Sequence, residues 1–282
     1  MYIEIGPAGI SVSGERDGLP YEFEKVKLEE TVKDILEGIK ECLPILKQRA
    51  YRIKNTAHLP DVAKKMVHAV KMVDEATLTP MAAVAGAVAD AVKEHFKGMG
   101  LDFISVNNGG DISIFNKDGR PLRIGLGDIN KNRATPCTLR IKGLNDHGVA
   151  SSGFGGRSFT LGLADIVTVV GSTGALADAA ATFICNHTDA ETDKVARKAA
   201  YEIDPLTDIP DELVTVSIGE LDKEIIAKAL ENGLRTSYQL KESKIIYDAV
   251  IMLKGEVVTT INGDKHISME VQNGNQEDCR CI

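Results

Sequence analysis

No apolar run in the first half of the sequence is long enough to cross a bilayer. The longest stretch there without a charge, Ala76 to Ala89, has 14 residues, mostly Ala and Val, against the roughly 20 that a spanning helix needs. No basic stretch followed by an apolar run opens the chain between Met1 and Ile10, so no secretory signal is readable there and a cytoplasmic protein is expected. An excess of basic residues is missing too. Lys and Arg number 33 against 41 Asp and Glu, a formal net charge of -8. That balance repels phosphate backbones and anionic lipid, so neither a nucleic acid nor a membrane is an expected partner. Cysteine is scarce and scattered: Cys42, Cys137, Cys185, Cys279 and Cys281 give neither a disulfide framework nor a four-ligand zinc pattern, and reduced thiols are expected. The end Cys279-Arg280-Cys281-Ile282 has the outline of a prenylation box with arginine where an aliphatic residue belongs, and reads better as a polar tail. The six histidines contain no i, i+4 pair, which removes the helical zinc-hydrolase pattern. No internal repeat or low-complexity linker is visible.

What is there is the composition of a globular protein, 43% hydrophobic and 26% charged, which excludes disorder and collagen. Strands are expected at Met1 to Ile5, Gly9 to Ser13 and Leu19 to Glu24. Val32, Ile35, Leu36, Ile39, Leu43 and Leu46 then recur at three- and four-residue steps, the mark of an amphipathic helix with a kink at Pro44. Further helices are expected from Asp61 to Val73, from Thr79-Pro80 to Gly98, from Ser172 to Cys185, from Ala190 to Tyr201 and from Asp222 to Asn232. Short strand runs occupy Phe103 to Val106, Asp111 to Phe115, Leu122 to Leu126, Cys137 to Lys142 and Ile166 to Val170, with others at Leu213 to Ile218, Ile245 to Leu253 and Glu256 to Ile261. Strands mixed with helices, without strict βαβ alternation, predict an α+β fold of layered mixed or antiparallel sheets with flanking helices. One domain spanning 1–282 is the simplest organisation, and two lobes sharing a cleft fit the same length.

Three segments stand out chemically. The run Val106-Asn107-Asn108-Gly109-Gly110-Asp111-Ile112 reads either as a tight hairpin or as bare backbone beside a ligand, with Asn108 and Asp111 supplying polar groups; both readings can hold together. Gly148 to Arg157, with Ser151, Ser152 and Gly153 at its centre, reads either as a mobile surface loop or as a loop that turns backbone N–H groups toward a phosphate. The third segment, Ser172 to Thr182, is a capped helix of small residues with one acid, Asp178, four positions before Thr182 and on the same face. A carboxylate among alanines is exposed, paired with a base, or bound to Mg²⁺, which takes one or two carboxylates together with phosphate oxygens and water.

In this order the segments resemble the ApbE superfamily of FAD-dependent FMN transferases. The matching residues are Gly109-Gly110-Asp111, then Gly119-Arg120-Pro121-Leu122-Arg123-Ile124-Gly125, then Ala150-Ser151-Ser152-Gly153, and the helix Ala177-Asp178-Ala179-Ala180-Ala181-Thr182. Pro80-Met81-Ala82-Ala83-Val84-Ala85-Gly86 resembles the helix start of a shorter branch of that superfamily. The resemblance implies Asp178 and Thr182 as metal ligands, Asp178 as the catalytic carboxylate, and Asn108, Gly109, Gly110, Asp111, Ser151, Ser152 and Gly153 as the border of a nucleotide. It implies Mg²⁺ and FAD or FMN as cofactors, an acceptor protein as a partner, and attack of a hydroxyl on phosphorus with AMP leaving. Where the transferases carry a His-containing Asp-Pro-x-Thr-Gly loop, the interval Gly155 to Gly171 holds neither histidine nor proline. Three functions are therefore open: a Mg²⁺-dependent flavin or nucleotide enzyme, a flavin- or nucleotide-binding protein without turnover, and an oligomeric structural or interaction protein on the same fold.

Overall fold

In the first helix the apolar positions of every third and fourth residue close onto one face, burying Leu28, Val32 and Ile39. The computed structural model describes residues 1–128, 133–263, 265–271 and 280–281. Its elements begin with β1 (Tyr2–Ile5), β2 (Ala8–Arg16), β3 (Leu19–Pro20), α1 (Lys25–Glu41), α2 (Leu43–Leu46), α3 (Asp61–Asp74) and α4 (Val84–Lys97). They continue with β4 (Phe103–Asn108), β5 (Asp111–Asn116), β6 (Leu122–Asp128), β7 (Arg133–Ile141), β8 (Asp146–Ser152), β9 (Ile166–Gly171) and α5 (Gly174–His187). The last are β10 (Val195–Ala199), β11 (Leu213–Ile218), α6 (Lys223–Glu242), β12 (Ile246–Leu253), β13 (Glu256–Thr259), β14 (Ile267–Val271) and β15 (Arg280–Cys281). The fold is α+β, as expected. Among the described residues no helix is long and apolar enough to cross a membrane. The tail expected from Cys279 to Ile282 lies partly outside the described residues.

The chain divides into two units. The first comprises Met1–Arg120, Gly143–Ala150 and Val170–Ala179. Its sheet runs β1-β2-β4-β5-β8 in antiparallel pairs, with β3 added to β2. Burial alternates along β4, so that Ile104, Val106 and Asn108 face inward, the pattern of an antiparallel sheet covered on one face. The cover is α4, which lies on β4 and β5 and is in turn packed by α1 and α3.

The second unit comprises Pro121–Lys142, Ser151–Val169 and Ala180–Ile282. It contains the antiparallel sheet β14-β7-β6, the two-stranded ribbon β10-β11, and the pair β12-β13 with α6 against it.

Four local expectations are corrected. Pro44 does not kink a continuous helix: α1 stops at Glu41 and Pro44 stands in the first turn of the separate α2, where its missing N–H is tolerated. The helix expected from Ala190 to Tyr201 is instead strand β10 and its approaches, since pairing with β11 and the Arg197–Asp189 ion pair of 2.5 Å override the helical propensity of its Ala, Arg and Lys residues. Helix α6 does not end at Asn232. Gly233 lies inside it because a Cβ there would stand 2.2 Å from Thr188 Oγ1, a close approach rather than a stop. Finally, the front half of the expected Gly148 to Arg157 loop is strand β8, buried from His147 to Ala150.

Candidate functional site

Strands β4 and β5 pair through Asn108↔Asp111, leaving Gly109 and Gly110 as a two-residue turn. Both glycines have positive φ, +66° and +115°, which a two-residue hairpin turn of this hand requires and which only glycine adopts without strain. The N–H of Gly110 donates to Asn107 Oδ1 at 2.7 Å. Nothing lies within 4 Å of where a Gly110 Cβ would point, so the turn is open on that side. Its two flanking side chains turn inward: Asn108 and Asp111 are buried, and Asn108 Nδ2 donates to the Ala85 carbonyl at 3.2 Å, tying the hairpin to the first turn of α4.

That same first turn receives Asp178. The Gly86 N–H donates to Asp178 Oδ2 at 2.9 Å, and the Ala85 N–H also donates to this carboxylate. In return, Asp90 of α4 accepts the N–H groups of Gly174 and Ala175, each at 2.9 Å, on its two carboxylate oxygens. Two helices thus exchange aspartates across their N-termini, each carboxylate satisfying amides that have no partner within their own helix. The exchange needs backbone-to-backbone contact. A Cβ on Gly86 would stand 2.1 Å from the Gly174 carbonyl oxygen, which explains why position 86 carries no side chain. Gly86→Ala is accordingly expected to destabilise the protein by about 2–3 kcal/mol through overpacking, measured as a lower midpoint in urea.

The electrostatics of this corner are one-sided at Asp178. Burial and the neighbouring negative charge of Asp111, with a smaller contribution from Asp90, push the Asp178 carboxyl well above the usual carboxylate range, and the two backbone N–H groups offset this only in part. Asp90 has different company. The Ser113 hydroxyl donates to it and the buried Lys93 ammonium lies 3.9 Å away. Lys93 also pairs with Asp146, which accepts from Lys97 at 2.6 Å. Burial works against the charge of Lys93, but Asp90, Asp146 and Glu94 outweigh it and raise its pKa; burial likewise works against Asp146, whose carboxyl the two lysines hold below the usual range. Next to Asp146, His147 is wholly buried, with no hydrogen-bond partner for either ring nitrogen among the described residues, and burial lowers its pKa to about 4.

The first unit therefore brings together Asn108, Gly109, Gly110, Asp111 and Asp178 of the residues expected from the sequence. Ser151, Ser152, Gly153 and Thr182 belong to the second unit. There the Ser151 and Thr168 hydroxyls lie 2.8 Å apart, Ser152 is hydrogen-bonded to the buried Cys185 thiol, and a Cβ on Gly153 would stand 2.2 Å from the Asp165 carbonyl. Thr182 is half-buried one turn after Asp178 along α5. Sequence reasoning missed Asp90 and Lys93, and read His147, the histidine nearest the Gly148 to Arg157 loop, as a satisfied or exposed one, whereas it is buried. The signal for Asp90 was its place as the charge that ends the uncharged run Ala76 to Ala89.

In donor chemistry the corner suits a hard cation, because Asp178 and Asp111 lie close enough to influence each other and both offer carboxylate oxygens. Among the described residues no group of three or more His, Cys, Asp or Glu gathers to form a complete protein cage. A Mg²⁺ ion, which keeps waters and takes phosphate oxygens, does not need one.

Among the proteins similar to this chain are UPF0280 proteins of archaea and solved flavin transferase structures. A UPF0280 protein of Methanospirillum hungatei is 40% identical over 129 residues, covering 45% of this chain and 51% of that protein. A UPF0280 protein of Methanothrix thermoacetophila is 39% identical over 132 residues, covering 45% and 52%. The match thus spans about half the length of these relatives. The flavinyl transferase ApbE of Pseudomonas stutzeri, in its apo form, is similar at 15% identity with a TM-score of 0.49, covering 92% of this chain and 93% of that one. The family model described as AbpE bacteria matches residues 5–259, nearly the whole sequence, and this chain belongs to that family.

Proposed function

We propose that the chain is a divalent-cation-dependent enzyme acting on a flavin nucleotide, with Asp178 and Asp111 as the carboxylates that hold the cation. The observation that carries this reading is the corner beside the Gly109-Gly110 turn, where the strongest influences on Asp178 are burial, two other carboxylates and two backbone N–H groups, none of them a basic side chain. Family membership and the Ala177 to Thr182 motif point the same way. A Mg²⁺ ion there would neutralise phosphate oxygens as charge builds on them. The chain's own groups do the rest: the Gly86 N–H fixes one oxygen of Asp178, Asn108 fixes the turn against α4, and the open side of Gly110 leaves room for a pyrophosphate. Transfer of FMN would form a P–O bond from the acceptor hydroxyl to the FMN phosphorus and break the bond from that phosphorus to the bridging oxygen, which leaves on AMP, the hydroxyl proton passing to water.

A second reading is nucleotide binding without turnover. A phosphate held in either case is not held by the start of α5, whose first amides are all engaged, Gly174 and Ala175 by Asp90, Leu176 by Thr173 Oγ1 and Ala177 by the Thr173 carbonyl. AMP release from FAD, followed by chromatography with Mg²⁺ or EDTA, separates the two readings. Asp178→Asn is the informative variant, because its amide oxygen can still accept from Gly86 while its charge is gone. Mg²⁺-dependent AMP release that disappears in Asp178→Asn is the expected outcome; undiminished release in that variant, or none in the wild type, would reject the enzymatic reading.

A further inference from the structure

The ribbon β10-β11 ends in a tip, residues 200–213, that the flavin reading does not use. Thirteen large hydrophobic side chains are exposed among the described residues, and four of them are here: Tyr201 at 54%, Ile203 at 44%, Leu206 at 76% and Leu213 at 59%. Six consecutive residues, Tyr201 to Leu206, are exposed. The same segment carries Glu202, Asp204, Asp208, Asp211 and Glu212 and no basic residue. Such a concentration of exposed apolar surface marks an interaction site.

The tip is ordered by its own backbone. Ala200 N donates to Glu212 O at 2.9 Å and Tyr201 N to Pro210 O at 3.2 Å, which closes the neck. Within the loop Asp204 N donates to Ala200 O at 2.9 Å, Leu206 N to Asp204 Oδ1 at 2.8 Å and Glu212 N to Ile209 O at 3.1 Å. At the base, Thr215 N donates to Thr160 O at 2.9 Å and Thr215 Oγ1 to Gly162 O at 3.0 Å, fastening the ribbon to its unit. A segment whose backbone is already satisfied and whose apolar side chains stand in water loses little conformational freedom on association.

We propose that this tip is a docking surface for a partner protein segment that presents Lys or Arg side chains around apolar ones. The apolar residues supply the buried contact, and the five carboxylates select a cationic rim and repel acidic surfaces, including anionic lipid. A second copy of this chain is a poor fit, since it would bring its own net charge of -8 against an acidic tip.

The chain has no tryptophan, so Tyr201→Trp, at an exposed position, installs a single fluorescent reporter; its thermal melt by circular dichroism should match that of the wild type. The probes are synthetic peptides of alternating Leu and Lys, Ser and Lys, and Leu and Glu. Saturable change in Trp emission is expected with the Leu/Lys peptide, weakened about tenfold or more by adding Leu206→Ser, and absent with the Leu/Glu peptide. No saturable change with Leu/Lys, equal affinity for Ser/Lys, or indifference to Leu206→Ser would each overturn the proposal. Emission that shifts with protein concentration before any peptide is added would overturn it in favour of self-association.

Discussion

Asp90→Ala is expected to lower stability by about 3–5 kcal/mol, enough to consume a large share of the roughly 5–15 kcal/mol typical of a folded protein. The residue is buried and both its oxygens are used, by the N–H groups of Gly174 and Ala175 and by the Ser113 hydroxyl. Removing it strands two amides at the start of α5 and one hydroxyl away from water, and each stranded group costs about 1–3 kcal/mol. It also takes one of the negative charges from around Lys93, which keeps Asp146. Asp90→Asn should fall in between, since one amide oxygen can still accept. Urea unfolding followed by circular dichroism measures the difference; a loss under about 1 kcal/mol for the alanine variant would mean that the helix exchange contributes no more than an ordinary cap.

Acidification should expose His147 in the same way. Its folded-state pKa, about 4, lies below the ordinary 6.5 because burial disfavours the charged ring. The unfolded chain therefore binds the proton first as pH falls, so the stabilisation is complete above about pH 6.5 and is lost progressively down to about pH 4. The full change is about 3 kcal/mol, from about 1.4 kcal/mol for each unit of difference. Asp178 has the opposite sign: its raised pKa means that stability falls as pH rises from the ordinary carboxylate value toward the folded one. The histidine is isolated by comparison with His147→Leu, which removes the titration without breaking a hydrogen bond, because neither ring nitrogen has a partner among the described residues. The wild type should lose about 3 kcal/mol more than His147→Leu between pH 7 and pH 4 in guanidinium titrations. Parallel profiles for the two proteins would contradict the buried, neutral assignment.

Local chemistry was readable where it is decided locally. The Gly109-Gly110 hairpin follows from two positive φ angles that only glycine takes easily, and α1 follows from the spacing of its apolar residues. The start of α5 was marked by Thr173, whose hydroxyl accepts from Leu176 at 3.1 Å. Contacts between distant positions were not readable. The backbone amides that Asp90 and Asp178 accept lie 84 to 93 residues away in sequence, so the sequence offered two lone acids in helices of small residues and no means of seeing that each caps the other's helix. For the same reason β8 looked like a glycine-serine loop until its pairing with β5 placed Gly148 and Val149 in a sheet, and β10 looked helical until β11 was beside it.

The corner formed by Asp178, Asp111 and the Gly-Gly turn is the heart of the functional account. Isothermal titration of MgCl₂ into the protein, with and without FAD, tests it most directly. Saturable heat that grows in the presence of FAD and vanishes in a folded Asp178→Asn variant is the predicted result. Identical heats from wild type and Asp178→Asn, or no heat from either, would contradict it.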